Sequence, residues 1–163
     1  MATKTIISLD QIQNFLAPKK LAVAGASRNP KKFGGMVIKE LKEKGFDVYP
    51  VNPNAEEIQG IRCFKSIAEL PDEVKHLLML TPKESTSDVA AQAVEKKMEM
   101  IWIQQMSDTP EAVKMIQEAN IPLIHQKCIF MFVDPVKGPH NFHRFFVKLF
   151  GKYPKKVRAG VPG

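Results

Sequence analysis

Val23-Ala24-Gly25-Ala26-Ser27-Arg28-Asn29-Pro30-Lys31-Lys32-Phe33-Gly34 is the stretch that decides the fold, because a short apolar strand runs into a turn of small residues and out into a helix. That layout is a cradle for an anion. Gly25, Ala26 and Ser27 leave room for a ligand to approach the main chain, and the N–H groups and positive dipole end of the next helix point toward negative charge. Lys19, Lys20, Arg28, Lys31 and Lys32 form a basic cluster that contains no acid and brackets the strand and its turn.

Upstream, Ser8-Leu9-Asp10-Gln11 is a capping-box pattern ahead of Ile12, Phe15 and Leu16, which predicts a short amphipathic helix ending before Pro18. Downstream, Met36, Val37 and Leu41 recur at helical spacing, so a helix is expected from about Phe33 to Lys44, with Gly45 as its stop. Asp47 to Val51 reads as the second strand, and Ile58 to Phe64 as a small turn or ribbon. Ser66 is expected to cap a short helix. His76 to Leu80 is the third strand, and Thr81-Pro82-Lys83-Glu84 combines an N-cap residue, a first-turn Pro and an acid, predicting a helix to about Lys97. Ile101 to Ile103, a helix from Thr109-Pro110 to near Asn120, and Pro122 to His125 complete the alternation.

Strands that are apolar throughout and alternate with helices imply a parallel sheet covered on both faces. The predicted fold class is α/β, a Rossmann-like three-layer sandwich with a five-stranded parallel sheet. In such sheets ligands lie across the carboxyl ends of the strands, which places Gly25 to Arg28, Asn52-Pro53, Thr81-Pro82 and Gln104-Gln105 at the candidate site. Beyond the fifth strand, Phe142, Phe145, Phe146, Leu149 and Phe150 recur at helical spacing. They predict a C-terminal helix with an aromatic stripe, packed on the sheet or against a second copy of the chain. Residues 1–151 are read as one domain and 152–163 as a basic, mobile tail.

The 163 residues are 44% hydrophobic and 25% charged, the composition of an ordinary soluble globular protein. No apolar run approaches the roughly twenty residues that span a bilayer. No secretory signal is read in Met1 to Asp10, and with Cys63 and Cys128 the only cysteines, reduced thiols in a cytoplasm are expected. The net charge of +7 arises wholly after residue 134, where seven Lys and Arg face no acid. A neutral body with a cationic end does not describe a nucleic-acid-binding face, and no nucleic-acid or membrane partner is expected.

The turn does not match Gly-x-Gly-x-x-Gly, since Ser27 and Pro30 occupy the second and third glycine positions counted from Gly25. Asn52 ends the second strand where an NAD site uses an acid for the ribose hydroxyls. A neutral side chain beside cations fits a pocket that also tolerates phosphate. His125, His140 and His143 with Cys128 lack the second cysteine or carboxylate cluster of a structural metal site. Two other classes stay open on the residues alone: an NAD(P)-binding oxidoreductase, and an acyl-CoA enzyme using Cys128. A nucleic-acid or anionic-membrane adaptor working through residues 135–163 is a further alternative.

Val23-Ala24-Gly25-Ala26-Ser27, Lys32-Phe33-Gly34, Gly45 to Pro53, Ile101-Trp102-Ile103-Gln104 and Lys127-Cys128 together resemble the small CoA-binding domain proteins, which are similar to the CoA-binding domain of the succinyl-CoA synthetase alpha subunit. The resemblance runs in order from about Leu21 to Phe132. It implies a Rossmann-like fold holding CoA or acyl-CoA at the strand ends, with Gly25, Ala26 and Ser27 at the diphosphate and Asn52 and Pro53 beside the adenosine. Arg28, Lys31 and Lys32 would neutralise phosphates, Phe33 at the helix start would also border the cofactor, and Thr81, Pro82 and Gln104 would line the rest. It departs from the family pattern where Met106 and Ser107 replace a frequent Gly, and where Gln126 replaces an acid before the cysteine. The catalytic histidine of the synthetase lies in a domain with no counterpart here, so the resemblance implies binding and no reaction.

Overall fold

Leu21-Ala22-Val23-Ala24 offers no polar face to water, and Lys20–Ala24 accordingly forms a buried strand, β1, in the interior of a sheet. The computed structural model describes residues 7–133. The expected C-terminal helix, the basic tail, His140 and His143 lie outside them. β2 (Asp47–Val51), β5 (His76–Met79), β6 (Met100–Gln104) and β7 (Leu123–Lys127) join β1 in one parallel sheet of order β2-β1-β5-β6-β7. The predicted five-stranded parallel sheet is therefore present. β3 (Glu57–Ile58) and β4 (Ile61–Arg62) make the small antiparallel ribbon anticipated around Gly60.

Strand order reverses direction at β1, which is followed in sequence by β2 on one side and flanked on the other by β5. Right-handed crossovers then place the helices on opposite faces. α1 (Leu9–Leu16) and α2 (Phe33–Glu43) bury Ile12, Phe15, Val37, Ile38 and Leu41 against Leu21, Val23, Leu78, Trp102 and Ile124. α3 (Lys83–Glu95) and α4 (Pro110–Glu118) bury Ala90, Ala93, Ala112 and Ile116 against Ala22, Ala24, Leu77, Met79, Ile101 and Ile103. Successive residues of each strand feed opposite cores, as the period of two requires. At about 1.5–3 kcal/mol for each large apolar side chain removed from water, these two layers outweigh any single cap or ion pair.

Two cap expectations are corrected. Ser66 makes no side-chain cap for the 3-10 turn Ile67–Glu69; Glu69 instead bonds back to the Lys65 N–H at 3.0 Å. α3 starts one residue later than its signature implied, with Pro82 at the N-cap, and the Thr81 hydroxyl bonds Thr86 Oγ1 at 2.8 Å. Ser8 and Thr109 do cap, accepting from the N–H groups of Gln11 and Ala112. α1 is pinned from below by Gln11, whose amide donates to the Leu123 carbonyl at 3.2 Å, and by His76 Nδ1, 2.7 Å from the Phe15 carbonyl.

Candidate functional site

Gly25 leaves β1 with φ +81, a conformation that costs an L side chain about 1–2 kcal/mol. Space forbids a side chain as well, because a Cβ there would lie 2.7 Å from the Leu80 main chain and 2.9 Å from the Thr81 nitrogen. Gly34 and Gly35, in the first turn of α2, meet the carbonyls of Gly25 and Asn29 in the same way. The turn, the helix and the end of β5 thus pack main chain on main chain. Gly34 and Gly35 shape this turn at positions that a fixed Gly-x-Gly-x-x-Gly spacing misses, because the loop after Gly25 is several residues longer than in that fingerprint.

The loop between Gly25 and α2 holds its own shape. Ser27 Oγ accepts from the Asn29 N–H at 3.1 Å, and Asn29 Oδ1 accepts from the Lys31 N–H at 2.9 Å. These Ser and Asn turns are the local chemistry that such side chains favour over helix. Asn29, which carries no motif signal of its own, is the central tie. Among the described residues nothing accepts from the main-chain N–H groups of Ala26, Ser27 or Arg28. No side chain caps α2 and its first turn carries no acid, so the positive end of its dipole is not neutralised from within.

Asn52 sits just past β2 and reaches across to this loop. Its Nδ2 donates to the Ala26 carbonyl at 2.9 Å, while its Oδ1 accepts from the Asn54 N–H at 2.8 Å. Asn52 is therefore a clamp between the β1 and β2 ends, with Pro53 exposed beside it. Thr81 is buried, and Thr86 Oγ1 passes the contact on to the Ser107 carbonyl at 2.7 Å, tying β5, α3 and the β6–α4 loop together. Pro82 is exposed. Gln104 is buried and accepts from the Ile129 N–H at 3.0 Å, fixing the turn that follows β7. Phe33 packs edge-on against Phe130, with ring centroids 5.2 Å apart.

The basic cluster divides. Lys19 and Lys20 stand at the amino end of β1, about 15 Å of strand away from Arg28 at the rise of an extended chain. Lys20 pairs with Glu73 at 3.2 Å. Arg28, Lys31 and Lys32 stay at the carboxyl end, exposed, with no ion pair among the described residues.

Cys128 is buried, and burial pushes its thiol up from the ordinary range against the opposing hydrogen bond from Gln104. A thiol so placed is protonated at neutral pH, the opposite of what a cysteine nucleophile requires. His125 Nδ1 lies 3.8 Å from Asp108 Oδ2. No group of three or more His, Cys, Asp or Glu side chains among the described residues is arranged to hold a metal, and no helix there is long and apolar enough to cross a membrane.

A parallel sheet that reverses strand order at β1, with a glycine-built turn over the uncapped end of the next helix, defines a nucleotide-binding domain of the Rossmann-like class. Residues 19–134 match the CoA binding domain, and the chain belongs to that family. It is 36% identical over 132 residues to the alpha subunit of the ADP-forming acetate–CoA ligase II of Pyrococcus furiosus, covering 79% of this chain but 29% of that subunit. The chain thus spans less than a third of that ligase subunit. The uncharacterized protein YneT of Bacillus subtilis is 29% identical over 111 residues, covering 68% of this chain and 82% of that protein. A solved structure of a hypothetical protein from Pyrococcus horikoshii superposes with a TM-score of 0.72 at 32% identity, covering 79% of this chain and 93% of that one.

Proposed function

We propose that this chain binds CoA or an acyl-CoA in the cytoplasm, across the carboxyl edge of its sheet, with its diphosphate on the loop Gly25–Arg28. The observation that carries the proposal is a main-chain cradle whose Ala26, Ser27 and Arg28 N–H groups meet no acceptor among the described residues, set at a helix end without a side-chain cap beside three cations that make no ion pair among the described residues. Each element answers a part of such a ligand: N–H groups for the pyrophosphate oxygens, and Arg28, Lys31 and Lys32 for the remaining phosphate charge. Asn52 and Pro53 border the adenosine. Asn52 does so while holding the Ala26 carbonyl, so the cradle exists before the ligand arrives.

Asn52 also argues against a nicotinamide dinucleotide, since it offers no carboxylate to the ribose hydroxyls. The protonated, buried Cys128 argues against thiol chemistry on an acyl group. Binding without an assigned reaction is the reading the geometry supports best. Calorimetric titration with CoA, dephospho-CoA, NAD and NADP tests it. CoA is expected to bind most tightly, with dephospho-CoA weaker; equal affinity for the two would remove the role given to the cations, and tighter binding of NAD would reverse the ligand class.

A further inference from the structure

Residues 1–134 carry 17 Lys and Arg against 17 Asp and Glu, whereas residues 135–163 carry seven Lys and Arg and no acid. A run of one sign is most simply a solvated end. Its point of departure from the fold gives this one a further meaning. Phe130, in the 3-10 turn Ile129–Met131, holds its ring 5.2 Å from that of Phe33, the first residue of α2. That turn is firmly placed, because Gln104 accepts from the Ile129 N–H at 3.0 Å, Phe132 packs on Trp102 with centroids 5.8 Å apart, and Phe130, Met131 and Val133 are buried. Val133 is the last described residue, no more than about 11 Å of chain beyond Phe130. Lys137 follows within about 14 Å more. The basic segment therefore leaves the fold beside the start of α2, with contour enough to return to it.

Charge decides when it does so. Arg28, Lys31 and Lys32 make no ion pair among the described residues, and the first turn of α2 holds no acid. Those three cations and the positive end of the helix dipole repel a basic segment while the cradle is empty. A diphosphate with a phosphomonoester brings about four negative charges at neutral pH, more than the three loop cations offset. Bound polyanion thus turns repulsion into attraction. Cations tethered this close act at an effective concentration on the order of millimolar, so they add to affinity without a second partner being recruited.

We propose that residues 135–163 form a cationic strap that closes over the phosphates of the bound nucleotide and is held off when the cradle is empty. The strap rests on the CoA reading and adds a regulation of that site by the chain's own end. The test is calorimetric titration with CoA of the full chain and of two full-length variants, one with Lys152, Lys155, Lys156 and Arg158 replaced by Gln, the other with Lys137, Arg144 and Lys148 so replaced. Each variant is expected to bind CoA about twofold to tenfold more weakly at 50 mM salt, and the gap is expected to close at 300 mM. In the unaltered chain, CoA is expected to slow tryptic cleavage after residue 134, and adenosine, which has no phosphate, is not. Wild-type affinity in the variants at low salt, or cleavage that CoA leaves unchanged, would overturn the strap while leaving CoA binding standing. So would salt-sensitive binding of DNA or anionic vesicles that is lost in the variants while their CoA affinity is kept. Failure of CoA to bind the unaltered chain would overturn the CoA reading and the strap together.

Discussion

The two ends of the sheet's carboxyl edge are built on opposite principles. At β1 and β2 the edge is main chain: Gly25, Gly34 and Gly35 remove the Cβ atoms that would clash in the turn, and the amide N–H groups of Ala26, Ser27 and Arg28 meet no acceptor among the described residues. At β6 and β7 the edge is closed by side chains, with Gln104 and Cys128 buried and the Trp102 indole N–H donating to the Lys127 carbonyl at 3.1 Å. The difference suits the ligand proposed above. A pyrophosphate needs several donors converging at short range, which only bare main chain supplies, whereas an acyl-pantetheine tail needs shape and apolar cover.

The contrast breaks most readily at the glycines. Gly25→Ala adds a Cβ in a left-handed conformation against the Leu80 main chain, and Gly34→Ala drives one into the Gly25 carbonyl. Each is expected to destabilise the fold by about 3 kcal/mol or more and to abolish CoA binding, measured by urea unfolding and calorimetry. A glycine variant that keeps wild-type stability and affinity would show that the close packing of this edge is dispensable.

Asn52→Ala comes next. It removes the donor to the Ala26 carbonyl and the acceptor for the Asn54 N–H, at an expected cost of about 1–3 kcal/mol in stability. If the clamp preorganises the cradle, CoA affinity falls further than that of adenosine alone; equal losses would make Asn52 a simple ligand contact. Replacing Arg28, Lys31 and Lys32 together by Ala is expected to leave stability within about 0.5 kcal/mol, since all three are exposed and unpaired within the described residues. It should weaken CoA binding severalfold and erase its advantage over dephospho-CoA, sharpening the assignment of charge to the β1 end.

The smallest effect belongs to the closed end. Burial raises the Cys128 thiol above its usual 9.0, so the native state holds its proton at a pH where the unfolded chain releases it. The stability this contributes is complete below about pH 9 and is lost as the pH rises through the native value. Cys128→Ala is expected to reduce that alkaline loss in pH-dependent unfolding, and the wild-type thiol is expected to react slowly with iodoacetamide at pH 7.5. Rapid alkylation of the folded protein would contradict a buried, protonated thiol.

Much of this division could be read in the chain. Continuously apolar strands, helical spacing in Val37 and Leu41, and the Thr109-Pro110 start gave the alternation, because burial patterns and caps are local signals. The small-residue turn was legible for the same reason. What escaped was the set of contacts between loops and helix starts: Asn52 to Ala26, Gly34 to Gly25, and Thr86 to Ser107 join residues whose meeting depends on the assembled fold. Thr81 carried a helix-cap signature, and its hydroxyl is instead buried against Thr86 Oγ1 one turn into α3. Lys19 and Lys20 looked contiguous with Arg28 in sequence, and a strand's length placed them at the other edge.

Amide NMR chemical shifts during titration with CoA test the main-chain cradle most directly. The largest perturbations are expected at the N–H groups of Ala26, Ser27 and Arg28, at the start of α2 and at Asn52, with the amino edge around Lys20 and Glu73 unmoved. Saturable CoA binding that leaves the Gly25–Arg28 amides unshifted would contradict a nucleotide held by bare main chain at the end of β1.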